Sequence, residues 1–188
     1  MSMEFRETKL KGLYIIQPDV KGDERGFFME VFRKDVFKEN GLDLNFVQTN
    51  HSRSGVGVLR GLHFQYDKPL GKLIRIINGD AFVVAVDIRK NSPTLGQWVK
   101  EDMSAENKTL MYVPEGFASG FCVLGDVAEV EYQYTTTYNP KGESNILWND
   151  SVLDINWPIK NPIISDRDKD ANSFNGWLDK PESDIFKL

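Results

Sequence analysis

An all-β sandwich or barrel is the fold this chain predicts, on three observations. Short runs rich in Val, Ile, Phe and Tyr recur along it, turn-forming clusters separate them, and helical patterning is sparse. A length of 188 residues suits one domain, spanning 1-188, with a full hydrophobic core.

Taken in order, the strand-like runs are Gly12 to Gln17, Phe27 to Phe32, Asn45 to Thr49, Val56 to Gln65, Lys72 to Ile77 and Ala81 to Ile88. They continue with Gln97 to Glu101, Thr109 to Val113, Gly120 to Leu124, Ala128 to Thr135 and Asn145 to Trp148. Each is either continuously apolar or alternates with period two, the spacing that sends successive side chains to opposite faces of a strand. Asn78-Gly79-Asp80, Lys90-Asn91-Ser92-Pro93, Pro114-Glu115-Gly116 and Asn139-Pro140-Lys141-Gly142 supply turns between them. Lys34 to Asn40 reads as a two-turn helix with Gly41 as its C′ residue, and Ser104 to Asn107 as a single turn opened by a serine cap. Beyond Trp157-Pro158 the chain turns polar and rich in Asp, Lys and Asn, which predicts an irregular surface segment closing over the barrel. Internal repeats, low-complexity tracts and linkers are absent from the sequence.

Charge and composition narrow the partners. With a net charge of -5, and lysines and arginines scattered among carboxylates, the chain lacks the basic stripe of a nucleic-acid binder, so no nucleic acid is expected. No run approaches the length needed to cross a bilayer and the first residues have no apolar core of a signal peptide, so no membrane association is expected and the location is expected to be cytoplasmic. Cys122 is the only cysteine, and its apolar neighbours Phe121 and Val123 fit an inert core thiol. The only two histidines, His51 and His63, lie apart with no H-x-H pairing, which favours a mechanism without metal or other cofactor.

The segment Gly57 to Gln65 carries the strongest chemical signal. It places an imidazole, His63, three positions after a guanidinium, Arg60, in an apolar strand-like run. An imidazole is the side chain best poised to take a proton near neutral pH, and a guanidinium beside it can hold an anion bidentately. In a regular strand residues 60 and 63 face opposite sides; a bulge at Gly61 would bring both into one cavity. His51, among polar turn formers, reads as a solvated group or one that supports a neighbouring site residue without touching substrate.

With that segment in view, others align in order: Asp23 to Glu30 (D-E-R-G-F-F-M-E), Phe46 to Asn50 (F-V-Q-T-N), Val86 to Lys90 (V-D-I-R-K), Val113 to Ala118 (V-P-E-G-F-A), Leu147 to Asp150 (L-W-N-D) and Ile164 to Asp168 (I-S-D-R-D). Together they resemble the dTDP-4-dehydrorhamnose 3,5-epimerase family over nearly the whole chain. The resemblance implies a cupin-like double-stranded β-helix, a homodimer whose N-terminal strands add to the partner's sheet, no metal, and a substrate that is a nucleotide-diphosphate 4-keto-6-deoxyhexose. It also implies roles. His63 matches the family's base, Asp168 the carboxylate that orients it, Tyr132 the acid on the opposite face, and Lys72 the cation beside the carbonyl oxygen. Arg60, Arg25 and Arg167 match groups around the diphosphate and sugar, Arg167 standing where lysine is more usual. Gln48, Asn50, Glu30 and Glu143 match polar sugar and nucleotide contacts, and Tyr138, with Phe27, the surface that stacks the base.

Two positions depart from the pattern. The segment usually reading P-E-G-F-A-H-G-F has Ser119 in place of its histidine, and the strand usually reading F-D-V-A-V-D has Val83 in place of a carboxylate. Losing both together avoids stranding a buried charge without its partner. The expectation is retained carbon-acid chemistry with altered scope, inversion at C3 and/or C5: restriction to C3 follows if the lost pair supported a second pose of the sugar, and reaction at both carbons if Ser119 still hydrogen-bonds the sugar through its hydroxyl. A sugar-nucleotide ketoisomerase or a non-catalytic sugar-nucleotide binder on the same barrel are the competing readings.

Overall fold

The computed structural model describes residues 3–188. Its strands in chain order are β1 (Met3–Glu7), β2 (Tyr14–Pro18), β3 (Val20–Asp23), β4 (Gly26–Met29), β5 (Gln48–Gly55), β6 (Leu59–Gln65), β7 (Lys72–Asp87), β8 (Trp98–Ser104), β9 (Leu110–Val113), β10 (Phe117–Tyr134) and β11 (Glu143–Asn145). Helices α1 (Lys34–Glu39), α2 (Asp166–Lys169) and α3 (Phe174–Leu178) and a 3-10 turn at Pro181–Phe186 complete it. Nine strands form one antiparallel sheet in the order β1-β2-β9-β7-β10-β6-β11, with β5 also on β10 and β8 also on β7; β3 and β4 make a separate hairpin.

Period-two alternation in β7 sorts its side chains into two cores. Ala81, Val83 and Ala85 join Ile74, Met111, Phe121 and Val130 in one cluster; Phe82, Val84 and Val86 point the other way, onto Leu62, Phe64, Cys122 and the C-terminal Trp177 and Phe186. The all-β expectation holds, and so does helix α1, which runs to Glu39 with Asn40 as its C-cap and Gly41 at φ +86°. The serine-capped turn holds too, with Ser104 Oγ accepting from the Glu106 and Asn107 N–H groups.

Boundaries differ where turn chemistry was read as a break. Lys72 to Ile77 and Ala81 to Ile88 are one strand, and so are Gly120 to Leu124 and Ala128 to Thr135, the latter extended back to Phe117. Gly79, at φ +74°, lies so near the Val127 carbonyl that a Cβ there would stand 1.8 Å from its oxygen, and the register shifts between Val123 and Ala128. The turn residues thus bend two long paired strands without ending them. Strand β1 was not foreseen, because its alternation mixes Met, Glu, Phe and Arg.

The segment after Trp157 corrects the expectation of an irregular polar surface. It folds into α2, α3 and the 3-10 turn, and buries Phe174, Trp177 and Phe186 to within 6% of full burial. Helices of four and five residues span little more than one turn, too short for a period to repeat, and each is opened by a serine cap: Ser165 and Ser173 accept from the Asp168 and Gly176 N–H groups.

Candidate functional site

A bulge in β6 builds the site. Ser119 pairs with His63 and Phe121 with Arg60, so β6 spends three steps where β10 spends two. Gly61 takes up the extra residue at φ +143° against Gly120. Arg60 and His63 consequently line the same cavity, as the Gly61 reading anticipated. The cavity is about 180 Å³ and is also lined by Ser52, Lys72, Ile74, Val83, Ser119, Tyr132, Tyr134 and Glu143. That is small beside the roughly 300–1,000 Å³ of common ligand pockets, so it suits one ring, with larger substituents leaving through the mouth.

His63 Nε2 stands 2.6 Å from Asp168 Oδ1. With the Nε2–H group donating to that carboxylate, Nδ1 is left as the basic nitrogen. Asp168 is only 1% exposed, and burial by itself would push its carboxyl up; the bond and charge of His63, with Ser165 and Asn145, hold it below the ordinary carboxylate value. The capped first turn of α2 fixes the carboxylate, while Asn145 Nδ2 donates to the Arg167 carbonyl at 2.9 Å and ties α2 to β11.

Tyr132 reaches the cavity from β10. Its phenol is pushed well above its ordinary value, first by burial and then by Tyr134, with Ser52 and Arg60 acting in the opposite direction, so it stays protonated at any ordinary pH. Lys72 donates to the His63 carbonyl at 3.1 Å and to Ser119 Oγ at 3.2 Å. Desolvation brings its ammonium down to about 8, opposed by Glu143 and reinforced by Arg167.

At the mouth, Tyr138 Oη and Arg167 Nη1 both donate to Glu143 Oε2 at 2.6 Å. Tyr138 is 45% exposed, and its N–H donates to Gln48 Oε1 while Gln48 Nε2 donates to Asn50 Oδ1. His63, Tyr132, Asp168, Lys72, Arg60, Ser119, Glu143, Arg167, Tyr138, Gln48 and Asn50 therefore form one continuous region. Arg25, Phe27 and Glu30 do not join it within the chain. Arg25 pairs with Asp23 on the β3–β4 hairpin, Phe27 lies under the Lys108 ammonium at 4.1 Å, and Glu30 meets Arg33 at 3.5 Å. Ser52, Ile74, Phe121 and Tyr134 line the cavity without having been singled out. Period two was the available signal, since Tyr134 follows Tyr132, and Ser52 follows Asn50, at the same-face spacing.

His51 is solvated, as expected, bonding Glu129 Oε2 at 2.9 Å. Cys122 is fully buried, its thiol pushed up to about 11 by desolvation. Among the described residues no three His, Cys, Asp or Glu side chains converge as metal ligands, and no helix is long and apolar enough to cross a membrane.

Residues 7–176 match the family model described as dTDP-4-dehydrorhamnose 3,5-epimerase. The chain is 50% identical over 174 residues to the Shigella flexneri dTDP-4-dehydrorhamnose 3,5-epimerase, covering 92% of this chain and 96% of that one. Among solved structures, the Legionella pneumophila dTDP-6-deoxy-D-glucose-3,5-epimerase in complex with dTDP-4-keto-L-rhamnose superposes with a TM-score of 0.92 at 43% identity, over 97% of each chain. A 3′-monoepimerase from Streptomyces bikiniensis in complex with dTDP-quinovose reaches 0.87 at 31% identity, over 96% of this chain and 91% of that one. The fold is thus the cupin-like barrel expected, and the chain belongs to the dTDP-4-dehydrorhamnose 3,5-epimerase family of isomerases.

Proposed function

We propose that this chain epimerises a dTDP-activated 4-keto-6-deoxyhexose by enolate formation and reprotonation, with His63 as base and Tyr132 as acid. The observation that carries the reading is the 2.6 Å His63–Asp168 contact opening into the same cavity as Tyr132 and Lys72. A ketone acidifies the C–H bonds on the carbons beside it. Nδ1 of His63 takes one of these protons, the C–H electron pair becomes the enolate π bond, and the carbonyl pair moves onto oxygen. Asp168 stabilises the resulting imidazolium. The Lys72 ammonium meets the developing oxyanion in a desolvated setting, where a fixed charge is most effective. Tyr132 then gives its proton to the carbon from the other face, which inverts the centre, and both side chains re-equilibrate with water.

Arg60 and Arg167 supply guanidinium groups for the diphosphate and Tyr138 an exposed ring for the base. Arg25, Phe27 and Glu30 fit as contributions to a second copy's cavity. They sit on or beside a hairpin detached from the main sheet, and Phe27 and Phe28 are 59% and 63% exposed. A homodimer that buries this hairpin would complete two sites at once.

Ser119 and Val83 support the narrower reading of inversion at C3 alone. A second inversion requires the sugar to turn and present C5 to His63, and the apolar Ile74, Val83 and Phe121 that line part of the cavity offer that second pose no polar hold. Incubation with the dTDP-4-keto-6-deoxyglucose nucleotide in deuterated water tests both statements by NMR. Deuterium at C3 only is expected. Label at C3 and C5, each appearing as fast as turnover, overturns the restriction, and no exchange at any carbon overturns the epimerase reading.

A further inference from the structure

Lys72 is a buried cation held in an unusual way. Among the described residues no carboxylate lies within ion-pair distance of its ammonium; its partners are two neutral oxygens, the His63 carbonyl and Ser119 Oγ. An ammonium has three N–H donors, so one remains for the cavity that Lys72 lines. The His63 carbonyl belongs to the β6 backbone and is fixed by the bulge. The second anchor depends on one side chain, Ser119, itself 5% exposed and paired with His63 across β6 and β10.

We propose that Ser119 is a positioning residue for the reaction: its hydroxyl holds the Lys72 ammonium against the His63 carbonyl, so that the third N–H is aimed at the substrate's carbonyl oxygen. The proposal rests on the epimerase reading above and gives Ser119 a part that acts through Lys72 and not through the sugar. With the hydroxyl removed, the ammonium keeps a single acceptor, swings among rotamers, and loses a bond that favours its charged form. The other groups around it are Arg60 and His63 from β6, Tyr132 and Tyr134 from β10, Tyr138 from the loop before β11, Glu143 from β11 and Arg167 from α2. Of these, Glu143 favours the charge and Arg167 opposes it, and neither contact is altered by a change at position 119.

The experiment compares Ser119→Ala and Ser119→Thr with the unaltered protein in two measurements: kcat and KM for exchange across the alkaline range, and an NMR titration of the Lys72 ε-carbon in the substrate-free protein. In Ser119→Ala, kcat is expected to fall by about tenfold with KM little changed, the usual weight of a hydrogen bond to a charged group. The alkaline limb of kcat and the Lys72 titration are both expected to move to lower pH. Ser119→Thr, which keeps the hydroxyl, is expected to leave the titration where it was. A Lys72 titration unmoved in Ser119→Ala overturns the proposal, as does a rise in KM with the alkaline limb unchanged, which would place Ser119 on the sugar. The titration needs no substrate, so it judges the Ser119–Lys72 bond even if exchange is absent and the epimerase reading fails.

Discussion

Gly61 and Gly120 approach so closely across β6 and β10 that neither admits a side chain. A Cβ on Gly61 would stand 2.6 Å from the Gly120 Cα, and one on Gly120 would stand 2.7 Å from the Arg60 carbonyl oxygen. Both contacts are with backbone, which cannot swing aside. This pair sets the bulge that turns Arg60 and His63 to the same side. Gly120→Ala is therefore expected to lower stability by about 1–3 kcal/mol, the usual cost of overpacking, and to cut activity further by displacing His63. Gly55→Ala on β5 is the control: nothing but the Asp126 carbonyl lies within 4 Å, and a change within about 0.5 kcal/mol is expected. Urea unfolding of both variants checks this, and equal stabilities would show that the close approach is easily relaxed.

His63→Asn is expected to lower solvent exchange at the sugar by about 10²–10⁴-fold while nucleotide binding, measured by calorimetry, stays nearly unchanged. Asp168→Asn is expected to slow the reaction as well, because an amide can present its N–H to the ring and leave the wrong nitrogen protonated. Exchange above about a hundredth of the unaltered rate in His63→Asn would mean that another group removes the proton.

Tyr132→Phe is expected to separate the two halves of the reaction. His63 can still form the enolate, so exchange on its own face persists while inversion slows by about 10²-fold or more. The measurement follows deuterium incorporation and product configuration in one NMR time course. Inversion at the unaltered rate would reduce Tyr132 to a packing aromatic beside Tyr134.

Much of this arrangement was legible in the residues. The apolar run Ala81 to Ile88 marked a buried strand, and the glycine between Arg60 and His63 marked the bulge, because both follow from local geometry. At Gly79 and at Leu124 to Val127 local turn preference predicts strand ends, and pairing with a distant partner overrides it. The burial of Trp177 was equally out of reach, since helices of four and five residues carry no period to read. Family resemblance drew Arg25, Phe27 and Glu30 into the site, yet a single chain does not bring them there, and a sequence does not show which copy's cavity a side chain serves.

Lys72→Met is expected to abolish activity and yet stabilise the fold at neutral pH. Lys72 is lowered from 10.5 to about 8 by burial, so between these values the unfolded chain binds the proton that the native state has released. Stability contributed by this group therefore rises with pH across that window, and below it the buried charge costs about 3 kcal/mol. The substitution removes that cost but leaves the Ser119 and His63 oxygens without a donor, so the net gain is smaller. The advantage of the variant in urea unfolding is expected to shrink as pH is raised from neutral toward the ordinary lysine value. An advantage independent of pH would show that Lys72 titrates normally.

The detached hairpin gives the last prediction. Arg25→Ala leaves the cavity of its own chain intact and, if the hairpin serves a second copy, damages only the partner's site; His63→Asn does the reverse. Each variant alone is expected to be nearly inactive. Unfolded together and refolded as a mixture, they form mixed dimers in which one cavity has both His63 from its own chain and Arg25 from the other. Random pairing in a two-fold dimer makes about half the dimers mixed, each with one working site, so about a quarter of the unaltered activity should return. Recovery of that size requires that Arg25 act across the interface. No recovery, with mixed dimers verified by mass, would place Arg25 on the substrate of its own chain, and full activity of Arg25→Ala alone would place it outside the reaction.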